Sequence, residues 1–140
     1  MNNKTEEFLE KWHKIVLEKN MDMLREIVAD DVTLYSPVVF KPKKSKDETL
    51  FVLSNVIQVF ENFAYHREFA DGNNLALEFS ANIGEKSCKG IDLIEIDDRG
   101  KLVNIEVFIR PVQGLLALGE AMNKRFEEAG IPVGKKLPSA

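Results

Sequence analysis

The spacing of apolar residues changes once along the chain, from helical to alternating. Phe8, Trp12, Ile15 and Val16 fall at i, i+4, i+7 and i+8, the stripe of one helical face. Asn3 with Glu6 is placed to cap that helix. Asn20 or Asp22 opens a shorter second helix with Leu24, Ile27 and Val28 inward, and Asp30-Asp31 ends it. Val32, Leu34 and Tyr35 read as a short strand stopped by Ser36-Pro37, and a loop runs through Pro42. Ser45-Lys46-Asp47-Glu48 is a capping box, so a third helix runs to about Phe60 with Leu50, Leu53, Ile57 and Phe60 on one side.

Beyond that helix the period is two. Phe63 to Phe69 alternates, and Asp71-Gly72-Asn73-Asn74 turns the chain. Leu75, Leu77, Phe79, Ala81 and Ile83 then alternate with Ala76, Glu78, Ser80 and Asn82. After Gly84-Glu85-Lys86 comes a strand from Ser87 to Ile96. Ile91, Leu93, Ile94 and Ile96 make it read as buried, yet Asp92 stands in its middle. Asp98-Arg99-Gly100 turns into Leu102 to Arg110, which Pro111 stops. There the pattern predicts Val103, Ile105, Val107 and Ile109 inside and Glu106, Phe108 and Arg110 outside. Leu115, Leu118, Met122 and Phe126 mark a last helix, Gln113 to Ala129, closed by Gly130 with Pro132 beyond. Three helices leading into a meander predict one α+β domain over residues 1–140, with helices on one face of a curved antiparallel sheet.

Two stretches carry a resemblance: "LREIVADDVTLYSP" (24–37), with the capped helix after it, and "GIDLIEIDDRGKLVNIEVFIRP" (90–111). With the first helix they span about Phe8 to Pro111. This order resembles the nuclear transport factor 2-like superfamily, whose relatives include the SnoaL-like cyclases and the ketosteroid isomerases. The resemblance implies a cone-shaped, cystatin-like fold, with a curved sheet wrapped around the N-terminal helices and a pocket between them. It also implies a homodimer through the outer sheet face, where Glu106, Phe108 and Arg110 would sit. In the isomerases a carboxylate base stands directly before a proline on the first strand; that place here is Ser36, before Pro37. A helix-1 tyrosine donates to the developing oxyanion; that place is Trp12. A second donor is an aspartate kept neutral by an apolar site; that place is Asp92, where the residue type is retained.

Read on their own, these residues allow both bland and chemical roles. Strand parity puts Cys88, Gly90, Asp92, Ile94 and Ile96 on one face. A carboxyl buried there without a cation has its pKa raised, while Gly90 would leave room beside a ligand. Asp92 is otherwise a structural hydrogen-bonding group. Trp12 is core, or a donor through its indole N–H. Ser36 ends a strand, or hydrogen-bonds in a pocket without being a base. Either His66 or Tyr65 faces inward, and an inward His66 would be an imidazole base at neutral pH. His13, about 100° round the helix from Trp12, is expected outside. Cys88 reads as a small buried hydrophobe. The expected catalytic set is therefore Asp92, Trp12 and His66, and the expected pocket set is Tyr35, Ser36, Tyr65, Gly90, Ile105 and Val107.

Composition narrows the partners. The chain has 140 residues, 44% hydrophobic and 30% charged, with a net charge of −4. That balance argues against nucleic acid, whose affinity comes mostly from basic residues. The cluster Lys41, Lys43, Lys44 and Lys46 is local and reads as a solvated loop. A lone cysteine excludes an internal disulfide. Two histidines without metal-ligand spacing predict no metal, and the chain has no Gly-rich phosphate loop or G-x-S-x-G motif, so no cofactor is expected. No signal peptide and no membrane-spanning run are read, so a cytoplasmic protein is expected. Its expected partners are a small apolar ligand and a second copy of itself, with neither nucleic acid nor membrane. Three functions fit: an isomerase-, cyclase- or dehydratase-like enzyme on a ring-bearing or carbonyl-bearing molecule, a binding protein without the base, or an interaction scaffold.

Overall fold

A computed structural model describes residues 2–130. Its elements are α1 (Asn3–Glu18), α2 (Met21–Ile27), β1 (Val28–Tyr35), α3 (Lys46–Val59), β2 (Glu61–Asp71), β3 (Asn74–Ile83), β4 (Lys86–Ile96), β5 (Leu102–Arg110) and α4 (Val112–Glu128). The five strands form one curved, open sheet in the order β1-β5-β4-β3-β2. Consecutive strands from β2 to β5 pair antiparallel, as their short turns require. β1 is the exception. It lies parallel to β5, with Leu34 beside Ile105 and Tyr35 beside Glu106, so the sheet is mixed and not antiparallel throughout.

The helices begin where hydrogen-bond demand can be met. Asn2, one residue before the expected Asn3, caps α1 by accepting from Thr5 N. Asn20 caps α2, and Ser45 caps α3 by accepting from Glu48 N at 3.1 Å. α2 stops at Ile27, so Asp30 and Asp31 do not end a helix. Both are exposed where the pairing of β1 with β5 shifts between Val28 and Thr33, while Val28, Ala29, Val32 and Leu34 are buried. α4 is closed near Gly130, which has φ +80°; Pro132 lies outside the described residues.

Of the sheet's register shifts, two decide which side chains expected inside face the core. Between Tyr65 and Glu68, β2 carries an extra residue relative to β3. Tyr65 therefore shares the inner face with its partner Phe79, while Phe69 pairs with Ala76 and is 62% exposed. The expected alternation to Phe69 is broken there. A second shift near Glu95 and Ile96 puts Leu102, not Val103, in the core. In β4 the parity of Cys88, Gly90, Asp92, Ile94 and Ile96 is inward, while Ile91 and Leu93 face out at 41% and 43% exposure. They are not buried as their hydrophobicity suggested.

The interior is two apolar clusters. One joins α1, α2 and α3 to β1, β3, β4 and β5 through Phe8, Trp12, Leu34, Leu53, Leu77 and Ile105, among others. The other gathers Phe60, Phe79, Cys88, Leu118, Met122 and Phe126 under α4. Phe63, Tyr65, Val52, Val56 and Val107 touch both. The seam between the clusters is where space remains.

Gly90 belongs to this packing. A Cβ there would overlap the carbonyl oxygen of Phe108 and lie 2.5 Å from Phe79 Cζ. Gly90→Ala should therefore lose about 2 kcal/mol or more of stability, as forced overpacking does. Urea unfolding followed by circular dichroism measures it, and an unchanged midpoint would mean that Phe79 and β5 yield freely.

Candidate functional site

The seam opens as a pocket bounded by α1, α3 and α4, by the strands β1, β2, β4 and β5, and by the segment after β1. The cavity itself is small, about 50 Å³, within a cleft whose empty space, mouth included, is about 630 Å³. Most of the wall is aliphatic or aromatic, including Val16, Leu34, Leu53, Val56, Phe60, Phe63, Ile105, Val107, Leu118 and Met122. The lining groups able to hydrogen-bond through side chains are Trp12, Ser36, Tyr65 and Asp92.

Three of these form a chain. Trp12 Nε1–H donates to the Tyr65 hydroxyl at 2.8 Å, and that hydroxyl donates to Asp92 Oδ2 at 3.0 Å. Three elements deliver the groups: α1 brings Trp12 on its apolar stripe, the register of β2 turns Tyr65 inward, and the parity of β4 brings Asp92. Asp92 is only 7% exposed and stands between Leu77 on β3 and Val107 on β5. Burial raises its pKa from 3.8 to about 7, against the opposing pull of the Tyr65 and Trp12 donors. Burial, and then the neighbouring Asp92, push the Tyr65 hydroxyl well above its ordinary value. Tyr65 thus stays a neutral donor.

The chain orients the carboxyl group. Oδ2 accepts from Tyr65, so a proton on Asp92 sits on Oδ1. Trp12 also acts on this carboxyl group as a donor, and Asp92 lines the pocket. The sequence placed Trp12 and Asp92 side by side as two donors to a ligand. Instead, Tyr65 stands between them, and the indole N–H donates to its oxygen.

The other expected residues divide. Ser36, Ile105 and Val107 line the pocket. Ser36 Oγ accepts from Val38 N at 3.1 Å, which leaves its own proton to donate. His66 does not belong to the site: it is exposed on the outer face, with Nε2 2.7 Å from Ser80 Oγ. Its neighbour Tyr65 holds the inward position, and adjacent strand residues cannot share a face. Tyr35 is off the lining for the same reason, Leu34 taking the inward place. Gly90 is also off it, because Phe79 fills its vacant side-chain space. His13 is half-buried rather than outside, 2.6 Å from Glu68 Oε2 and against the Tyr65 ring.

Phe63 and Val38 also line the pocket and were not singled out from the sequence. Parity with Tyr65 was the available signal for Phe63. Among the described residues, no three His, Cys, Asp or Glu side chains converge to hold a metal ion.

Solved structures share this fold. A steroid delta-isomerase from Pseudomonas aeruginosa is 38% identical, with a TM-score of 0.88, over 92% of this chain and 96% of that one. A protein with a cystatin-like fold from Silicibacter pomeroyi DSS-3 is 31% identical, with a TM-score of 0.83, over 88% of this chain and 87% of that one. A more distant NTF-2 like protein from Burkholderia xenovorans LB400 is 18% identical, with a TM-score of 0.66, over 76% of this chain and 82% of that one, and shares the fold. No protein-family model matches the chain, and no curated protein matches it. With that identity over nearly the full length, and the cone and seam described above, the chain belongs to the nuclear transport factor 2-like superfamily.

Proposed function

We propose that the protein binds a small apolar molecule carrying a carbonyl or similar acceptor oxygen, and that Asp92 holds that oxygen with the proton on Oδ1. The observation that carries this reading is a single carboxyl group, orientated by Tyr65, in an otherwise apolar pocket. Such a wall accepts rings or chains, and one fixed donor selects their orientation. Native mass spectrometry of the purified protein is the direct test. A retained apolar ligand, lost in Asp92→Ala and kept in Asp92→Asn, is expected. Equal retention in Asp92→Ala would remove Asp92 from recognition.

The second reading is proton transfer, favoured by the similarity to the protein described as a steroid delta-isomerase. An isomerase must both take and return a proton. Among the lining residues only Asp92 and Tyr65 titrate, and one carboxyl group cannot be oxyanion donor and base at once. We therefore propose binding without isomerisation in the native chain. Given a Δ5-3-ketosteroid, the protein should produce no conjugated enone above background. Ser36→Asp, which restores a carboxylate before Pro37, should produce it. Rapid turnover by the unmodified protein would establish catalysis and overturn the binding-only reading.

Asp92 also sets a pH dependence. Its folded pKa of about 7 exceeds the ordinary 3.8, so between these values the native state holds more proton than the unfolded chain. Stability must then fall as pH rises from about 4 to about 7 and level off above, a loss of about 4 kcal/mol. Asp92→Asn should flatten this slope and melt several degrees higher than the native protein at pH 8. Thermal unfolding at pH 5 and pH 8 reads both. A variant less stable at pH 8 would mean that the fold stabilises the ionised carboxylate there instead of penalising it.

The outer sheet face supports a further part of the proposal, a homodimer. Ile91 lies beside Phe108, and Leu93 beside Ala76, which in turn flanks Phe69. Exposures of 41–62% at these four large side chains make an apolar patch of the kind that monomers seldom leave open. Self-association buries it symmetrically. Phe108→Ala with Arg110→Glu should sediment as a monomer at micromolar concentration. A dimer that persists would place the interface on another surface.

A further inference from the structure

The loop between β1 and α3 does two things at once. Its first residues, Ser36, Pro37 and Val38, line the pocket. Val38 and Val39 pack against the cluster under α4. Lys43 then returns to pair with Leu34, through backbone hydrogen bonds of 2.8 and 2.9 Å. The segment is thus tied at its base and anchored along one side. Phe40, at its tip, is 101% exposed. A ring held outward by a tied loop is not explained by packing, because nothing in the described chain covers it.

Charge surrounds that ring. From Val38 to Lys46 the sequence is VVFKPKKSK, with four lysines and no acidic residue, in a chain whose net charge is −4. Lys46 lies 3.7 Å from Asp30. Among the described residues, Lys41, Lys43 and Lys44 are in no ion pair. No helix among the described residues is long and apolar enough to cross a membrane, so a contact with lipid would be peripheral.

We propose that this loop docks the protein on an anionic lipid surface, with Phe40 inserted among the acyl chains, Lys41, Lys43 and Lys44 at the headgroups, and the pocket rim turned toward the bilayer. An aromatic tip with a basic collar combines the two terms of interfacial binding: buried apolar area and attraction to anionic lipid. The shared loop gives the contact a purpose. An apolar ligand, sparingly soluble in water, would pass between bilayer and pocket along Ser36, Pro37 and Val38. This transfer rests on the proposed pocket function, whereas docking rests on the loop alone.

Vesicle flotation separates the two. The full chain should float with vesicles of phosphatidylcholine and phosphatidylglycerol at low salt. It should float far less at 0.5 M salt, used here as about three times physiological ionic strength, and not at all with phosphatidylcholine alone. Phe40→Ser should weaken binding about tenfold, the loss of one buried aromatic side chain. Lys41→Glu with Lys44→Glu should weaken it by more than about 25-fold, at roughly fivefold per lysine. Both variants replace exposed side chains and should keep the native melting temperature. No flotation of the unmodified protein, or flotation equal in either variant, would overturn the proposal. Ligand retention in solution, read by native mass spectrometry, tests the pocket separately and should be unaffected by Phe40→Ser.

Discussion

The organising constraint of this fold is a buried carboxyl group that meets no cation among the described residues. Taking a carboxylate out of water is costly, and a buried group escapes that cost by binding a proton or by gathering donors. Asp92 does some of each. Tyr65 supplies one hydrogen bond and Trp12 supports Tyr65 from behind. The arrangement needs three separate elements in register: the apolar stripe of α1, the inward turn of β2, and the parity of β4. Each of the two ring-bearing members also packs against aromatic neighbours, Trp12 against Phe8 and Tyr65 against Phe63 and Phe79. Polar satisfaction and core packing therefore depend on the same residues.

That dependence explains what could and could not be read from the chain. Asp92 was legible because strict alternation from Cys88 to Ile96 assigns every side chain to a face. The helices were legible because their caps and stripes are local. Asn2 replaced Asn3 because adjacent asparagines offer the same chemistry one residue apart. His66 was misplaced for a different reason. Either parity of "FAYHREF" is plausible alone, and the choice is made across the sheet, where Tyr65 meets Phe79. Gly90 was misread because a glycine reports only that space is needed, not what fills it. The parallel docking of β1 on β5 had no local signal, since a strand's direction is decided by a partner distant in sequence.

The family resemblance carried over the fold. A fold shared by many functions transfers geometry more reliably than reactivity. Ser36 keeps the position of a base without the carboxylate, and its oxygen serves the Val38 N–H. Trp12 keeps the position of a hydroxyl donor, but its single N–H donates to Tyr65. In the proposed function the polar focus of the pocket is Asp92 with Tyr65.

The pairing of β1 with β5 has a kinetic meaning. Val28 meets Leu102, and Leu34 meets Ile105, so this edge of the sheet closes a loop that contains α3 and the β2–β4 meander. Loop closure over such a span is entropically unfavourable until the intervening strands are in place. The meander can form from neighbouring hairpins, while β1 must wait for a partner made much later in synthesis. Leu34 and Ser36, at the end of β1, reach the pocket wall only at that step. The cavity wall is consequently complete only once β1 is docked, because Leu34 and Ser36 belong to it. An occupant that binds the native state alone stabilises it by RT ln(1 + L/Kd), a gain that grows with the ligand concentration L.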